Sequence, residues 1–134
     1  MTDTDTTASP EWVRDATTAI VALAATNQQF TVDDVHQWLA TGSEADAPSN
    51  AKALGGIMHH LSARLGVIGS VAAWCTSVRH TDRPIRMWVG TSVPHPDITP
   101  TEAHVVLALE AIRTVGQERS RLMVESVRKT RGES

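Results

Sequence analysis

The residues that could build a catalytic or metal site in this chain do not have the spacing that such a site needs. His59 and His60 are adjacent, so on a helix their side chains point about 100° apart and cannot chelate as an i, i+4 pair would. Cys75, the single cysteine, lies in an apolar stretch without a neighbouring base, which is typical of a small buried hydrophobe. Gly55-Gly56 is not followed by a phosphate-loop pattern, so close helix packing or close approach of a ligand backbone explains it better. The sequence therefore predicts a non-enzyme without a metal or cofactor.

The charge distribution points instead to an anionic partner. Residues 1–49 hold one basic side chain against eight acidic ones, residues 50–90 hold five against one, and the remainder is balanced. The formal net charge of -3 therefore conceals a basic middle segment, where an anion would bind.

This basic segment begins with a predicted helix, SNAKALGGIMHHLSARLG, from Ser49 to Gly66. Its apolar stripe, at i, i+4, i+7 and i+11, is predicted to face the core and consists of Leu54, Met58, Leu61 and Leu65. The opposite face is small, polar or cationic and is predicted to face solvent; it includes Lys52, Gly56, His59 and Ala63. The leading hypothesis is that this face contacts DNA.

A hairpin is predicted to follow the helix directly. Gly66 can supply a left-handed C-cap, and the runs Val67–His80 and Ile85–Val89 alternate like strands around the turn HTDRP. The tip carries Arg79, His80 and Arg83, which suits contact with phosphate or a minor groove. The alternative is that an exposed hairpin carries charges for solubility.

Two helices are predicted upstream, after a mobile tail at residues 1–8. The first begins at Ser9 with Pro10 in its first position, and its core residues are Val13, Ala16, Ile20 and Leu23. The second has Thr31 as its cap, Asp34 as the reciprocal carboxylate and Phe30 as a hydrophobic staple; Trp38 is interpreted as a core lid. Thr41–Pro48 is predicted to be a loop.

A long helix is predicted to follow the extended connector 91–98. Thr99, Pro100 and Glu102 have the spacing of a cap, a first-position proline and a capping-box carboxylate. The helix, 99–130, carries an apolar stripe that Gly116 and Arg119 interrupt. The sequence predicts a homodimer through this helix, with the alternative that it folds back on its own core. The proposed dimer residues are Val105, Leu109, Ile112, Leu122, Met123 and Val127.

The length of 134 residues suits one domain with a core, here a mainly α fold with a β-hairpin over residues 9–90. No apolar run is long enough for a membrane span, and the polar N-terminus is unlike a secretory signal. The expected protein is soluble and cytoplasmic and does not contact a membrane.

The segments FTVDDVHQWL, ALGGIMHHLSARLGVI and RPIRMWVG together resemble the small winged-helix proteins, or winged helix-turn-helix proteins, of actinobacteria and their phages. The resemblance covers Phe30 to Gly90. It implies that Asn50–Leu65 is a recognition helix and Val67–Val89 a wing, with Lys52, His59 and Arg83 facing DNA.

Two functions are compatible with these patterns. The first is a DNA-binding transcriptional regulator or recombination accessory factor; the second is a phage-type module that binds and modulates a host protein. The candidate DNA-binding residues are Ser49, Asn50, Lys52, Gly56, His59, His60, Arg79, His80, Arg83 and Arg86.

Overall fold

The computed structural model describes residues 9–45, 48, 52–79 and 84–130. Its elements are α1 (Pro10–Ala25), α2 (Val32–Gly42), α3 (Lys52–His59), a π-helical turn (His60–Arg64), β1 (Ile68–Thr76), β2 (Pro84–Gly90) and α4 (Glu102–Thr130). β1 and β2 pair antiparallel. The chain is thus mainly helical, with a two-stranded hairpin and a long C-terminal helix, a layout that fits a winged helix. The predicted tail at residues 1–8 lies outside the described residues.

The starts of α1 and α2 confirm the caps predicted from the sequence. The Ser9 hydroxyl accepts a hydrogen bond from the Trp12 N–H at 3.1 Å, and Pro10 occupies the first turn. The Thr31 N–H donates to the Asp34 carboxylate at 2.7 Å, and the Asp33 N–H donates to the Thr31 hydroxyl at 3.1 Å. These bonds satisfy N–H groups that a helix start leaves unpaired.

Burial raises the pKa of Asp34 to about 6, although the Thr31 N–H and Arg119 both act to lower it. Since this carboxyl is more easily protonated in the folded chain, folding takes up a proton between the ordinary pKa and about 6. The ionised Asp34 therefore lowers the free energy of unfolding at neutral pH. This cost disappears as the pH falls from above about 6 to below the ordinary pKa of the carboxyl.

The core lies between α1, α2, α3 and the first half of α4. It includes Trp12, Ala16, Ile20, Leu23, Phe30, Val35, Trp38, Leu54, Met58, Leu61, Ile68, Ala108 and Ala111. The prediction for Val13 is wrong, because Val13 is 36% exposed while Trp12 is buried. Burying the larger indole removes more apolar surface from water, and this sets the rotation of α1.

The two faces predicted for the helix 49–66 are confirmed along α3 and into the π-helical turn. Leu54 and Met58 of α3 and Leu61 of the turn are buried, whereas Lys52, His59 and Ala63 are exposed. Leu65 is only half-buried. The reason is the π-helical turn, in which the Leu65 N–H bonds the His60 carbonyl at 3.1 Å, so each residue turns through a smaller angle and the stripe drifts.

The hairpin is joined at its base by a third short segment. Phe30 and Trp88 exchange both backbone hydrogen bonds at 2.8 Å, so the connection between α1 and α2 adds to the edge of β2. Gly66 has φ +69, as predicted for a left-handed cap. Val71 pairs with Met87, and the next pair along the hairpin is Trp74 with Arg86. Between these two pairs β1 has two extra residues, 72 and 73, which form a bulge.

The helix α4 begins later than predicted. Instead of Thr99 with Glu102, the cap pairs Thr101 with His104: the His104 N–H donates to the Thr101 hydroxyl, and the Thr101 N–H donates to His104 Nδ1, both at 3.1 Å. The imidazole nitrogen replaces the carboxylate as acceptor. This placement also lets the Trp38 indole N–H donate to the His104 carbonyl at 3.1 Å, so Trp38 is a core residue as predicted.

Candidate nucleic-acid interface

A groove of about 560 Å³ separates α3 and the π-helical turn from the hairpin. His59 and Ser62 line its helical side, and Trp74, Arg86 and Trp88 line its hairpin side. We call it the α3–hairpin groove. The structure therefore brings two of the predicted DNA-binding residues, His59 and Arg86, to one site.

The described lining of this groove carries a positive charge and no negative one. Arg86 is its arginine, and none of the described residues that line it is an aspartate or glutamate. Outside the groove, Lys52 and Arg64 are exposed on the helical segment. Lysine and arginine side chains are the usual means of binding a phosphate backbone.

The two adjacent glycines of α3 do not pack closely against the part of the chain that the structure describes. A Cβ built on either Gly55 or Gly56 would have no neighbouring atom within 4 Å. Because a mid-helix glycine costs roughly 1 kcal/mol relative to alanine, these positions destabilise α3 without compensation from the described residues.

Trp74 is a site residue that the sequence analysis did not single out. It is 59% exposed, whereas Trp12 and Trp38 are each 3% exposed. The Arg86 guanidinium lies 4.9 Å from its ring centroid, within the range of a cation–π contact. The alternating pattern of β1 could have placed Trp74 on one face of the hairpin. Whether that face is buried or exposed depends on the bulge and on how the hairpin packs against the helices.

The remaining predicted DNA-binding residues do not gather at this groove. Arg79 lines a different cavity, beside Trp12 and Gln37. Gly56 and His60 are exposed on the helical side. Ser49, Asn50, His80 and Arg83 lie outside the described residues.

The hairpin is held against the helices by one buried carboxylate. Asp33 accepts hydrogen bonds from the Ser77 hydroxyl and the Val78 N–H, both at 2.9 Å, and from the Arg119 guanidinium at 3.2 Å. Arg119 also donates to the Thr76 carbonyl at 3.0 Å. We call these residues the Asp33 cluster. Arg119, which interrupts the apolar stripe of α4 in the sequence, thus joins α4 to α2 and to the end of β1.

The proposed dimer residues divide into two groups. In the first half of α4, Ala108, Ala111 and Val115 are the buried residues, while Val105 and Ile112 are half-buried and Leu109 is 41% exposed. The first half of α4 therefore packs on the chain's own core, which was the alternative to a dimer interface. Leu122 and Met123 both line a groove beside β1, and Met123 and Val127 are exposed.

Neither metal chemistry nor thiol chemistry has a built site in the part of the chain that the structure describes. There, no three His, Cys, Asp or Glu side chains are grouped to hold a metal ion. Cys75 is a half-buried free thiol, and burial raises its pKa, which disfavours the reactive thiolate. Within the described ranges, no helix has the length and apolarity to cross a bilayer.

Comparison with protein-family models, curated proteins and solved structures finds no match to this chain. Its function is therefore inferred from the geometry and charge of the surface around the α3–hairpin groove.

Proposed function

We propose that this chain binds duplex DNA and acts as a transcriptional regulator or a recombination accessory factor. The observation that carries the proposal is the α3–hairpin groove, whose described lining includes Arg86 and no acidic residue. In this arrangement α3 lies against the major groove, and Arg86 on the hairpin approaches the sugar-phosphate backbone. Phosphate contacts of this kind set the position of a protein on DNA, and base contacts from a helix supply sequence preference.

The glycines of α3 support this proposal. With no Cβ at Gly55 or Gly56 and no atom of the described chain nearby, the helix backbone can approach a partner closely. Along the described chain before α3, the nearest acidic residue in sequence is Glu44. Asp33 is engaged inside the fold by Ser77, Val78 and Arg119, so it does not oppose phosphate at the surface.

The proposal predicts a salt-dependent affinity for duplex DNA. For each phosphate that the protein neutralises, the slope of log affinity against log salt should change by about -0.9. Arg86→Ala, at the arginine that lines the α3–hairpin groove, should therefore flatten the slope by about 0.9 and weaken binding equally across sequences. Fluorescence anisotropy with labelled duplexes at several salt concentrations measures both quantities.

The matched control is Arg113→Ala, which removes an exposed cation from α4. This variant should keep the slope of the unmodified chain. A slope near zero for the unmodified chain, or equal losses in both variants, would contradict DNA binding at the α3–hairpin groove.

We further propose that the chain forms a homodimer through the C-terminal half of α4. Met123, Val124 and Val127 are 63%, 52% and 49% exposed, and their i, i+1, i+4 spacing places them on one side of the helix. We call these three residues the distal patch. Pairing of the patch with its symmetry mate would bury it and would present two copies of α3 to DNA.

The dimer should dissociate when a charge enters the distal patch. Met123→Glu is expected to give a monomer by light scattering, because an unpaired carboxylate in an apolar interface is costly. Thr114→Glu, at another exposed position of α4, should leave the dimer intact. Deleting the whole of α4 would not test the dimer, because a chain that ends at Ile98 would also lose the residues of α4 that pack into the core, Ala108, Ala111 and Val115.

A monomeric unmodified chain at micromolar concentration would contradict the dimer. The same exposed patch then favours the second function, a module that binds and modulates a host protein. A purified partner whose binding requires Met123, together with absence of DNA binding, would support that function instead.

A further inference from the structure

The exposed tryptophan of the hairpin carries an inference that rests on the proposed DNA binding and makes it more specific. We propose that Trp74 stacks on a base that has left the base-pair stack of duplex DNA, so that the protein prefers duplexes with an unpaired base.

A bulge in β1 positions Trp74. At the bulge, Val71 pairs with Met87 and Trp74 pairs with Arg86, which leaves Ala72 and Ala73 without cross-strand partners. A bulge bends its strand and redirects the side chains that follow it. The indole is consequently presented on the surface directly opposite an arginine.

Arg86 contacts this indole without covering it. Its guanidinium carbon lies 4.9 Å from the ring centroid and can occupy one face of the ring. Trp74 nevertheless remains 59% exposed. An indole held by a cation and still open to solvent is a stacking platform, since every nucleobase has a flat aromatic face.

The charge of the α3–hairpin groove favours a nucleic acid over an apolar protein segment. Trp74 lines this groove with His59, Ser62 and Arg86, and none of the described residues that line it is acidic. On its other side Trp74 borders a separate groove along α4, which contains both Glu125 and Lys129. A base inserted into the α3–hairpin groove would keep its phosphate beside the Arg86 guanidinium. Because α3 forms the other wall of the groove, a duplex lying along α3 would bring its own bases to Trp74.

The test compares a short duplex with the same duplex carrying one extrahelical adenine, using the full chain and anisotropy at fixed salt. The unmodified chain should bind the duplex with the extra adenine more tightly, by roughly 5-fold to 150-fold, the range that corresponds to stacking one base. Trp74→Ala should abolish this preference, so that the two duplexes bind with equal affinity. Trp74→Phe should retain part of the preference, because it keeps an aromatic ring.

Val106→Ala is the matched control, since it removes another exposed apolar side chain, from α4; it should keep the preference. Circular dichroism should show all variants folded, because both positions are exposed. Stacking should also quench the fluorescence of the unmodified chain more than that of Trp74→Phe.

The possible failures are distinguishable. Absence of binding to every duplex overturns the proposed function and this inference together. Equal affinity for the two duplexes, or equal weakening of both by Trp74→Ala, overturns the inference alone. Tighter Trp74-dependent binding to a single strand overturns the choice of a duplex. If Trp74→Ala abolishes binding to a protein partner and leaves DNA binding unchanged, the choice of nucleic acid is overturned.

Discussion

Gly90→Ala is expected to lower the free energy of unfolding by about 3 kcal/mol, at the upper end of the usual cost of overpacking. A Cβ at this position would overlap the backbone carbonyl group of Ala24 in α1. Backbone atoms of a buried helix cannot rotate aside as a flexible side chain can. The end of β2 would therefore have to move away from α1, and urea denaturation would measure the loss.

Gly69→Ala is the control for this prediction, because Gly69 lies on the neighbouring strand and pairs with Val89. A Cβ there would meet only the Thr91 methyl group, at 3.9 Å, which is an ordinary contact. We expect a change within about 0.5 kcal/mol. A similar loss in both variants would show that strand conformation, rather than overlap with α1, governs the effect.

Arg119→Met is expected to destabilise the fold by about 2 kcal/mol and to loosen the hairpin. The Asp33 side chain is 1% exposed, so removal of its cation leaves a buried carboxylate with only the Ser77 and Val78 donors. Breaking a fully buried pair costs roughly 3–5 kcal/mol, and the smaller value allows for the 25% exposure of Arg119. Urea denaturation and hydrogen exchange of the β1 amides measure the two effects.

Arg121→Met provides the control on the same helix. Arg121 forms ion pairs with both Glu118 and Glu125, but its side chain is 56% exposed. Surface pairs contribute about 0–1 kcal/mol, so this variant should remain close to the unmodified chain.

A double-mutant cycle with Asp33→Asn completes the test of the Asp33 cluster. The amide keeps an acceptor for the Val78 N–H while removing the buried charge, so Arg119→Met should cost much less in that background. An equal cost of Arg119→Met in both backgrounds would assign its effect to packing of the long side chain instead.

The local parts of the fold could be predicted because their causes lie within a few residues. Ser9 and Thr31 cap helices by accepting hydrogen bonds from N–H groups that are three residues away or nearer. Gly66 follows the helical segment with a positive φ, which glycine adopts readily. The stripe through Leu54, Met58 and Leu61 follows from helical periodicity. These features depend on residue type and spacing, which a sequence displays directly.

Other positions were misjudged where a local pattern competed with packing. Thr99 had the expected cap spacing, yet Thr101 caps α4, because His104 supplies an acceptor there and its carbonyl receives the Trp38 indole N–H. Leu109 belonged to the predicted stripe, but the smaller Ala108 and Ala111 face the core. Small side chains let α4 approach α1 and α2 closely, a requirement that periodicity alone does not reveal.

Caps, periodicity and charge are properties of neighbouring residues, so the helices, the hairpin and the basic middle segment can be predicted from residue order. Which of these residues act together depends on the packing of the elements. Arg119 and Asp33 are 86 positions apart, and Trp74 became an exposed platform because a bulge and the cross-strand Arg86 position it. Such partnerships depend on how elements pack in three dimensions, and no spacing along one chain specifies that packing.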